Sequence, residues 1–286
     1  MKNKLSYTNT CKICGGSCEF FDTETKNGNE YTIIECLQCG TIQALEHYSP
    51  ISPDYVDLDV EGLGDAHIWM NREHKKQAYV QFIKNLNNLN IDLTKSRIID
   101  IGCGTAGFGE YCIANSIVYS GFDASEAQVE YAKKLGIDVA CATSVNEYIA
   151  TGAAKPEANV IFTLWDVLEH IRDPNKLFEE IKLYPAKTKY IFVSVPNGGA
   201  LRWKRWLHKK LNGKYSYDSW EHVFYYTPNS LSLYLENLGI DVMKVGSVAC
   251  YPRKLSAIEF IRRFTFILFS WYISKAPQIY VFAKIK

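Results

Sequence analysis

The most informative stretch of this sequence is Ile98-Ile99-Asp100-Ile101-Gly102-Cys103-Gly104-Thr105-Ala106-Gly107. Its apolar first part is typical of a buried strand, and it runs directly into a glycine-rich turn and then a helix. Glycines let the backbone turn tightly and approach a ligand closely. The N-terminus of the following helix offers free N–H groups and a field that favours an anion. The stretch therefore predicts a strand, turn and helix with a ligand bound at the turn.

A second predicted strand supplies an acidic partner for this turn. Nineteen residues past Gly104, the strand ends at Asp123 in Gly121-Phe122-Asp123. An acidic side chain at this place can accept hydrogen bonds from both hydroxyls of a ribose. The combination predicts a nucleotide cofactor, with a plain structural turn beside a surface Asp as the simpler alternative. By itself it does not separate dinucleotide enzymes from methyltransferases.

The surrounding sequence alternates between strands and helices. Short apolar runs at 98–101, 118–122, 137–140, 160–163 and 190–195 predict strands. Helical patterns fall at 66–89, where Ala78, Phe82 and Leu86 share one face, and at 126–135, 175–183 and 228–238. Two further strands are predicted at 242–248 and 279–285. Such alternation predicts an α/β fold with a mainly parallel sheet.

Four ordered motifs carry a resemblance to a known family. They are DIGCGT at 100–105, LWDVLEHIRDP at 164–174, VPN at 195–197 and EHVFYYTP at 221–228. Together they resemble class I S-adenosylmethionine-dependent methyltransferases of the ubiquinone-biosynthesis-like branch, over residues 97–286. The resemblance implies a Rossmann-like, seven-stranded, mostly parallel sheet with helices on both faces and an antiparallel last strand.

The resemblance also implies roles for residues around the turn. Gly102 and Gly104 would pass beneath the methionine part of S-adenosylmethionine. Asp123 would hold the ribose, and Asp100 would face the methionine amino group, directly or through water. Trp165 would help to wall the cofactor site.

The expected cofactor site includes further positions, and three of them depart from the family pattern. Ala124 follows Asp123 and belongs to the predicted cofactor-binding set. Ala106 stands where the family often has a third glycine. Thr143 and Ser144 stand where many members carry an acidic residue near the adenine amine, which leaves the contacts to adenine open.

Three residues are candidates for the base. Methyl transfer is an in-line displacement at a sulfonium, so the enzyme aligns the acceptor and, for a hydroxyl or a carbon acid, removes a proton. Histidine is the natural base near neutral pH. His170 and His222 both fall in family-like motifs, and Asp166 is a further candidate. His170 could instead only cap or pack the following helix, and the sequence does not choose among the three.

The N-terminal segment carries a separate cysteine motif. Cys11, Cys14, Cys36 and Cys39 form two C-x2-C pairs with 21 residues between them, each pair followed by a glycine. This spacing predicts four thiolates around zinc, with iron as the second choice, in a closed structural site of zinc-ribbon type. Cys18 is a spare thiol that could substitute for a ligand. Apart from the cysteines, the segment holds few residues that could form a core.

Composition argues against nucleic-acid-binding, secreted and membrane-spanning classes of protein. The chain has 286 residues, 22% of them charged, and a net charge of +1, whereas proteins that live on nucleic acid usually carry a larger basic excess. The start lacks an apolar stretch typical of a secretory signal. The longest apolar run, near 264–273, is too short to span a bilayer. We therefore expect a cytoplasmic protein whose cysteines bind metal and do not form disulfides.

We predict three regions. Residues 1–45 form the zinc-binding module, 46–90 a linker with a leading helix, and 91–286 the methyltransferase domain with a lid insertion at about 198–226. Segment 201–214 mixes Trp with cations. It could form a lid whose cations bind phosphate, a peripheral membrane contact shared with 258–273, or merely a solvated helix.

The acceptor is expected to be a small molecule. We favour a saccharide or a sugar-linked metabolite such as a nucleotide-sugar, from a surface-polysaccharide or natural-product pathway. The low net charge argues against RNA, because RNA binding depends on many contacts between cations and phosphates. The alternatives are an RNA methyltransferase that grips RNA through its zinc ribbon, and a cofactor-binding protein without catalysis.

Overall fold

The computed structural model describes residues 10–26, 28–45, 75–153, 157–210, 217–219, 221–248 and 278–286. Residues 46–74 of the predicted linker and leading helix at 46–90, and the segment at 258–273, lie outside the described residues. In this part of the chain, none of the helices combines the length and the apolar character needed to cross a bilayer.

The main sheet contains all seven strands predicted from the sequence. These are β4 (Ser96–Ile101), β5 (Tyr119–Asp123), β6 (Val139–Cys141), β7 (Glu157–Trp165), β8 (Ala186–Pro196), β10 (Ile240–Val248) and β11 (Gln278–Ile285). Their order across the sheet is β6-β5-β4-β7-β8-β11-β10. Neighbours from β6 to β8 are parallel, and β11 is antiparallel to both of its neighbours. The predicted Rossmann-like α/β fold is confirmed.

Seven helices connect these strands in the described residues. They are α1 (Lys76–Asn88), α2 (Gly107–Ala114), α3 (Glu126–Lys134), α4 (Val145–Ala150), α5 (Pro174–Leu183), α6 (Gly198–Lys210) and α7 (Pro228–Asn237). Four of them begin with a side-chain cap. The side chains of Ser125, Ser144, Asp173 and Thr227 accept hydrogen bonds from the backbone N–H groups near the starts of α3, α4, α5 and α7. Caps of this kind satisfy N–H groups that a helix leaves unpaired.

Helices cover both faces of the sheet, as predicted. On one face, Ala78, Phe82 and Leu86 of α1 are buried with residues of α2, α3 and the sheet. On the other face, apolar residues of α4, α5 and α7 pack against alternate residues of the same strands. The carboxyl ends of β4, β5 and β7 consequently meet at one edge between two packed layers, where sheets of this kind bind ligands.

The N-terminal segment forms a second sheet that includes a strand from far along the chain. Its order is β1-β2-β3-β9, with β1 at Cys18–Lys26, β2 at Asn29–Cys36, β3 at Ile42–Ala44 and β9 at Phe224–Tyr225. The expectation of little core was wrong, because this segment shares a core with the α/β domain. That core contains Phe21, Ile33, Ile42, Leu201, Tyr217 and Tyr225.

Two cations of α6 bind the N-terminal segment. Arg202 donates to the Gly40 carbonyl at 2.9 Å and pairs with Glu35. Arg205 Nε lies 2.7 Å from Asp22 Oδ2, and its guanidinium lies 4.3 Å from the centre of the Phe21 ring. The charges of Arg202 and Arg205 are therefore paired within the chain, which weakens the interpretation of these two cations as phosphate or membrane contacts.

Candidate functional site

The glycine turn after β4 has the backbone that a tight ligand-binding turn requires. Gly102 and Gly104 have φ of +64° and +56°, in the region that favours glycine. A Cβ on Gly102 would lie 2.7 Å from a methyl group of Val167, so the position excludes larger residues. Ala106 adopts the same left-handed conformation, φ +54°, directly before α2. The family's preference for a third glycine there therefore has a conformational reason.

Asp123 lies beside this turn, as the sequence predicted. Its Oδ2 accepts a hydrogen bond from the Gly104 N–H at 2.8 Å, and its Oδ1 accepts one from the Ser125 N–H at 2.9 Å. The following residue, Ala124, offers its carbonyl to the thiol of Cys141, 3.8 Å away. The carboxylate thus connects the end of β5 with the glycine turn, at the place expected for a ribose.

Asp100, at the end of β4, is buried with two hydroxyl donors. Thr163 Oγ1 donates to it at 2.6 Å and Tyr119 Oη at 3.0 Å. Burial raises the pKa of Asp100 from 3.8 to about 7, although the two hydroxyl donors act in the opposite direction. A nearby cation would favour the ionised form, so this carboxyl suits a site for an ammonium group.

Thr143 and Ser144 lie at the start of α4. The Ser144 hydroxyl accepts from the Glu147 N–H at 3.1 Å. The hydroxyl and the N–H of Thr143 donate to Glu147 Oε2 at 2.6 and 2.7 Å, and they lower the pKa of this carboxyl. Glu147 was not among the predicted site residues, although a Ser followed three residues later by Glu is a capping signal. A carboxylate therefore lies beside Thr143 and Ser144.

Trp165 ends β7 inside an aromatic cluster. Its ring centre lies 4.5 Å from that of Phe192 and 5.1 Å from those of Tyr79 and Phe108. The side chain is buried, and its indole N–H has no hydrogen-bond partner among the described residues. The predicted contact of Trp165 with the cofactor stays a prediction.

Asp166 has its carboxylate engaged on both oxygens. Lys75 Nζ lies 2.7 Å from Oδ2, and the amide of Gln278 donates to Oδ1. The residue also has a left-handed backbone, φ +55°. Both carboxylate oxygens of Asp166 therefore already have side-chain partners within the chain. This environment favours the two histidines over Asp166 as the base.

His170 and His222 come together beside a buried carboxylate. Their ring centres are 4.8 Å apart, and a ligand atom from each lies within 4.8 Å of an oxygen of Glu169. Glu169 is 1% exposed. Neither of its carboxylate oxygens has a hydrogen-bond partner within the part of the chain that the structure describes. Burial, and secondly the charge of Asp166, raises the pKa of Glu169 well above its usual range.

The surroundings of His170 fix which nitrogen can act as a base. Its Nδ1 lies 3.0 Å from the Glu221 carbonyl oxygen. Because a carbonyl only accepts, Nδ1 carries the proton, and in the neutral ring Nε2 holds the lone pair. That Nε2 lies 4.0 Å from Glu169 Oε1. His222 Nε2 lies 3.9 Å from Glu221 Oε1.

The same three groups could also hold a divalent cation. Two imidazoles and one carboxylate are a common ligand set for metal ions. Glu169 fits this role because a buried carboxylate without hydrogen bonds is costly unless a cation compensates it. Glu169 was not among the predicted site residues, although it stands directly before His170 in the second family-like motif.

The four predicted cysteines form a compact cluster. Sγ atoms of Cys11 and Cys39 are 3.7 Å apart, and those of Cys14 and Cys36 are 3.5 Å apart. All four lie within 4.8 Å of one another. A tetrahedral zinc with bonds of about 2.3 Å separates its sulfurs by about 3.8 Å. The cluster therefore has the dimensions of a closed four-cysteine metal site, and Cys18 lies outside this group.

The chain was compared with solved structures. An S-adenosylmethionine-dependent methyltransferase from Archaeoglobus fulgidus matches with a TM-score of 0.42 and 21% identity, over 74% of this chain and 97% of that one. Magnesium protoporphyrin IX methyltransferase from Synechocystis, with S-adenosylhomocysteine bound, matches with a TM-score of 0.48 and 12% identity, over 79% and 97%.

Two sequence relatives and one family model also match the chain. A ubiquinone biosynthesis O-methyltransferase from Coxiella burnetii is 21% identical over 57% of this chain and 71% of its own length. One from Cupriavidus pinatubonensis is 22% identical over 60% and 70%. The family described as "Methyltransferase domain" matches residues 70–245. Because this match spans more than half of the chain, the protein belongs to the methyltransferase domain family, and it is an S-adenosylmethionine-dependent methyltransferase.

Proposed function

We propose that this enzyme methylates a hydroxyl group of a small-molecule acceptor. The observation that carries the proposal is the buried Glu169 carboxylate beside His170 and His222. An amine offers a lone pair to a methyl donor once it is neutral, whereas a hydroxyl must lose its proton in the reaction. Two histidines beside a carboxylate can accept that proton. The names of the two relatives, both O-methyltransferases, support the same choice.

In this proposal the histidines share the work of taking the proton. His170 offers Nε2, since its Nδ1 is hydrogen-bonded to a carbonyl. Once a ring is protonated, the neighbouring Glu169 stabilises the imidazolium when its own carboxyl is ionised. A divalent cation on the same three residues would instead lower the pKa of a bound hydroxyl. In both cases Asp166 keeps its ion pair with Lys75.

The cofactor residues are proposed as follows. Gly102 and Gly104 lie beneath the methionine part, and Asp100 faces its ammonium group. Asp123 and Ala124 face the ribose. Thr143, Ser144 and Trp165 complete the surroundings of the adenosyl group, and Glu147 accepts a hydrogen bond from the Thr143 hydroxyl.

A saccharide is still the acceptor class that we propose, for the hydroxyl groups it offers. The cations of the predicted lid support this choice less than we expected from the sequence, because Arg202 and Arg205 bind the N-terminal segment. The proposal therefore does not require a phosphate on the acceptor. The four-cysteine cluster is proposed to hold a structural zinc ion, since a site closed by four thiolates leaves no open coordination position.

The test is methyl transfer from labelled S-adenosylmethionine to separate pools of simple saccharides, nucleotide-sugars, phenols, primary amines and RNA. We expect label on a hydroxyl acceptor and none on RNA. The His170→Asn variant keeps a donor for the Glu221 carbonyl but has no base, so transfer should fall by about 10²-fold. Transfer confined to amines or to RNA, or full activity of the His170→Asn, His222→Asn double variant, would refute the proposal.

A further inference from the structure

A buried carboxylate of the N-terminal sheet holds the turn that carries His222. Glu24 of β1 is 8% exposed. Its Oε1 accepts from the Tyr217 N–H at 3.0 Å, and its Oε2 accepts from the Ser219 N–H at 2.8 Å. Both oxygens of one carboxylate thus bind backbone N–H groups on either side of Asp218. Hydrogen bonds to an ionised acceptor are stronger than those between neutral groups.

The held turn leads directly to the histidine. Asp218 has a left-handed backbone, φ +55°. Its carbonyl accepts from the N–H groups of Glu221 and His222, both at 3.0 Å. Moving Asp218 therefore moves the backbone of His222. On the far side, the Val223 N–H donates to the Glu169 carbonyl at 2.8 Å, so the turn is fixed at both ends.

A second contact strengthens the attachment at the same place. Asp22, two residues before Glu24 on β1, accepts from the Tyr217 hydroxyl at 2.8 Å and from Arg205. The Tyr217 carbonyl in turn accepts from the Tyr225 hydroxyl at 2.6 Å. The start of the turn is therefore bound to the N-terminal sheet through both its backbone and a side chain.

We propose that Glu24 is a positioning residue for His222, so that the four-cysteine module contributes to the active site of the α/β domain. The inference rests on the proposed role of His222 as a base. Glu24 itself faces the backbone of the turn and acts only through the place that it gives to the imidazole. Small displacements of a catalytic group can lower a rate by about 10²-fold.

The test uses the full chain and the Glu24→Gln variant, whose amide can accept from one N–H but presents an NH2 group to the other. Histidine-labelled protein gives a nuclear magnetic resonance signal for His222, assigned by its loss in His222→Asn. We expect Glu24→Gln to shift this signal. With the acceptor found in the panel above, kcat should fall about tenfold or more. The Kd for S-adenosylhomocysteine should stay unchanged.

Glu19→Gln, an exposed change on the same strand, is the matched control and should change neither readout. Glu24→Asp, which is one methylene shorter, should give an intermediate loss if Glu24→Gln fails to fold. Combined with His222→Asn, the Glu24→Gln change should add little further loss, because both act on one group.

The proposal would be overturned by a folded Glu24→Gln or Glu24→Asp protein with an unchanged His222 signal. Losses that multiply fully in the double variant would overturn it as well. If His222→Asn alone leaves kcat unchanged, the role of His222 as base fails, whereas the His222 signal still reports on Glu24.

Discussion

The imidazole rings of His170 and His222 lie 4.8 Å apart, although one follows β7 and the other precedes β9. His170 belongs to the 3-10 turn Leu168–His170 at the carboxyl edge of the main sheet. His222 arrives on a turn that the N-terminal sheet holds in place through Glu24. The candidate base is therefore assembled from two layers of the molecule, and its geometry depends on both.

The pKa of Asp100 predicts how stability depends on pH. Its folded-state value is about 7, above its ordinary 3.8. A raised carboxyl pKa contributes stability that is full below about pH 4 and is lost as pH rises towards about 7. Asp100→Asn, which keeps the shape without the charge, should therefore raise Tm relative to the natural protein at about pH 8. Thermal denaturation at about pH 5 should show a much smaller difference, and an equal difference at both pH values would contradict the assignment.

Cofactor binding should favour the ionised form of Asp100, whereas folding favours its protonated form. If Asp100 faces the ammonium group of the cofactor, binding favours its ionised form. The affinity for S-adenosylhomocysteine should then rise with pH, by at most about tenfold per unit, until about pH 7. Calorimetry measures this slope, and Asp100→Asn should flatten it. A steep slope that survives in the variant would assign the titration to another group.

Asp123 should be essential for cofactor affinity. Asp123→Ala removes the acceptor for the Gly104 N–H as well as the expected ribose contact, and a lost charged hydrogen bond is worth about 1.5–3 kcal/mol. We expect the Kd for S-adenosylhomocysteine to rise by at least about tenfold. Asp138→Ala, at an exposed position of the same domain, is the matched control. Equal affinities of the two variants would refute the role of Asp123.

Metal content should depend on four cysteines and not on the fifth nearby. Cys36→Ser should lose the bound metal, lower Tm and shift the His222 signal, because ligation supplies folding energy to a small module. Cys18→Ser should retain the metal, since Cys18 is buried but accepts a hydrogen bond from Gln43 at 3.6 Å outside the cluster. Elemental analysis of reduced protein makes the comparison. Metal lost equally from both variants would mean that Cys18 is a ligand.

Arg205 should contribute to stability where a neighbouring cation does not. Arg205→Ala removes the contacts with Asp22 and the Phe21 ring, which should lower the free energy of unfolding by about 1–2 kcal/mol. Lys210, an exposed cation of the same helix that lies over Trp206, is the control, and its change to Ala should have a small effect. Chemical denaturation compares the two variants. If they are equal, the contacts of α6 with the N-terminal sheet are energetically unimportant.

Local signals account for what the sequence could predict. Strands and helices of the α/β domain are marked by apolar runs, by caps such as Ser125 and Thr227, and by the glycine turn. The four cysteines are marked by their spacing alone. Because these patterns involve residues close together along the chain, they predict the strands, the glycine turn and the cysteine pairs, whereas the antiparallel last strand of the main sheet was expected from the family resemblance.

Long-range relationships account for what was missed. β9 has two residues and carries no periodic pattern, so its pairing with β3 leaves no mark in the sequence. Arg202 and Arg205 looked free because their partners stand on strands far away along the chain. In the sequence Glu169 resembles any surface carboxylate, whereas the fold buries it beside the two histidines.

The pairing of β3 with β9 has a consequence for the order of folding. During synthesis the residues of the N-terminal sheet leave the ribosome before those of β9. The edge of β3 therefore stays unpaired until Phe224 and Tyr225 have been synthesised. An unpaired edge invites association with other chains, and contacts between distant residues form slowly. Metal bound early by the cysteines would hold the first three strands together during this interval. We therefore expect scarcity of metal in the cell to reduce the yield of native enzyme through misassembly during synthesis.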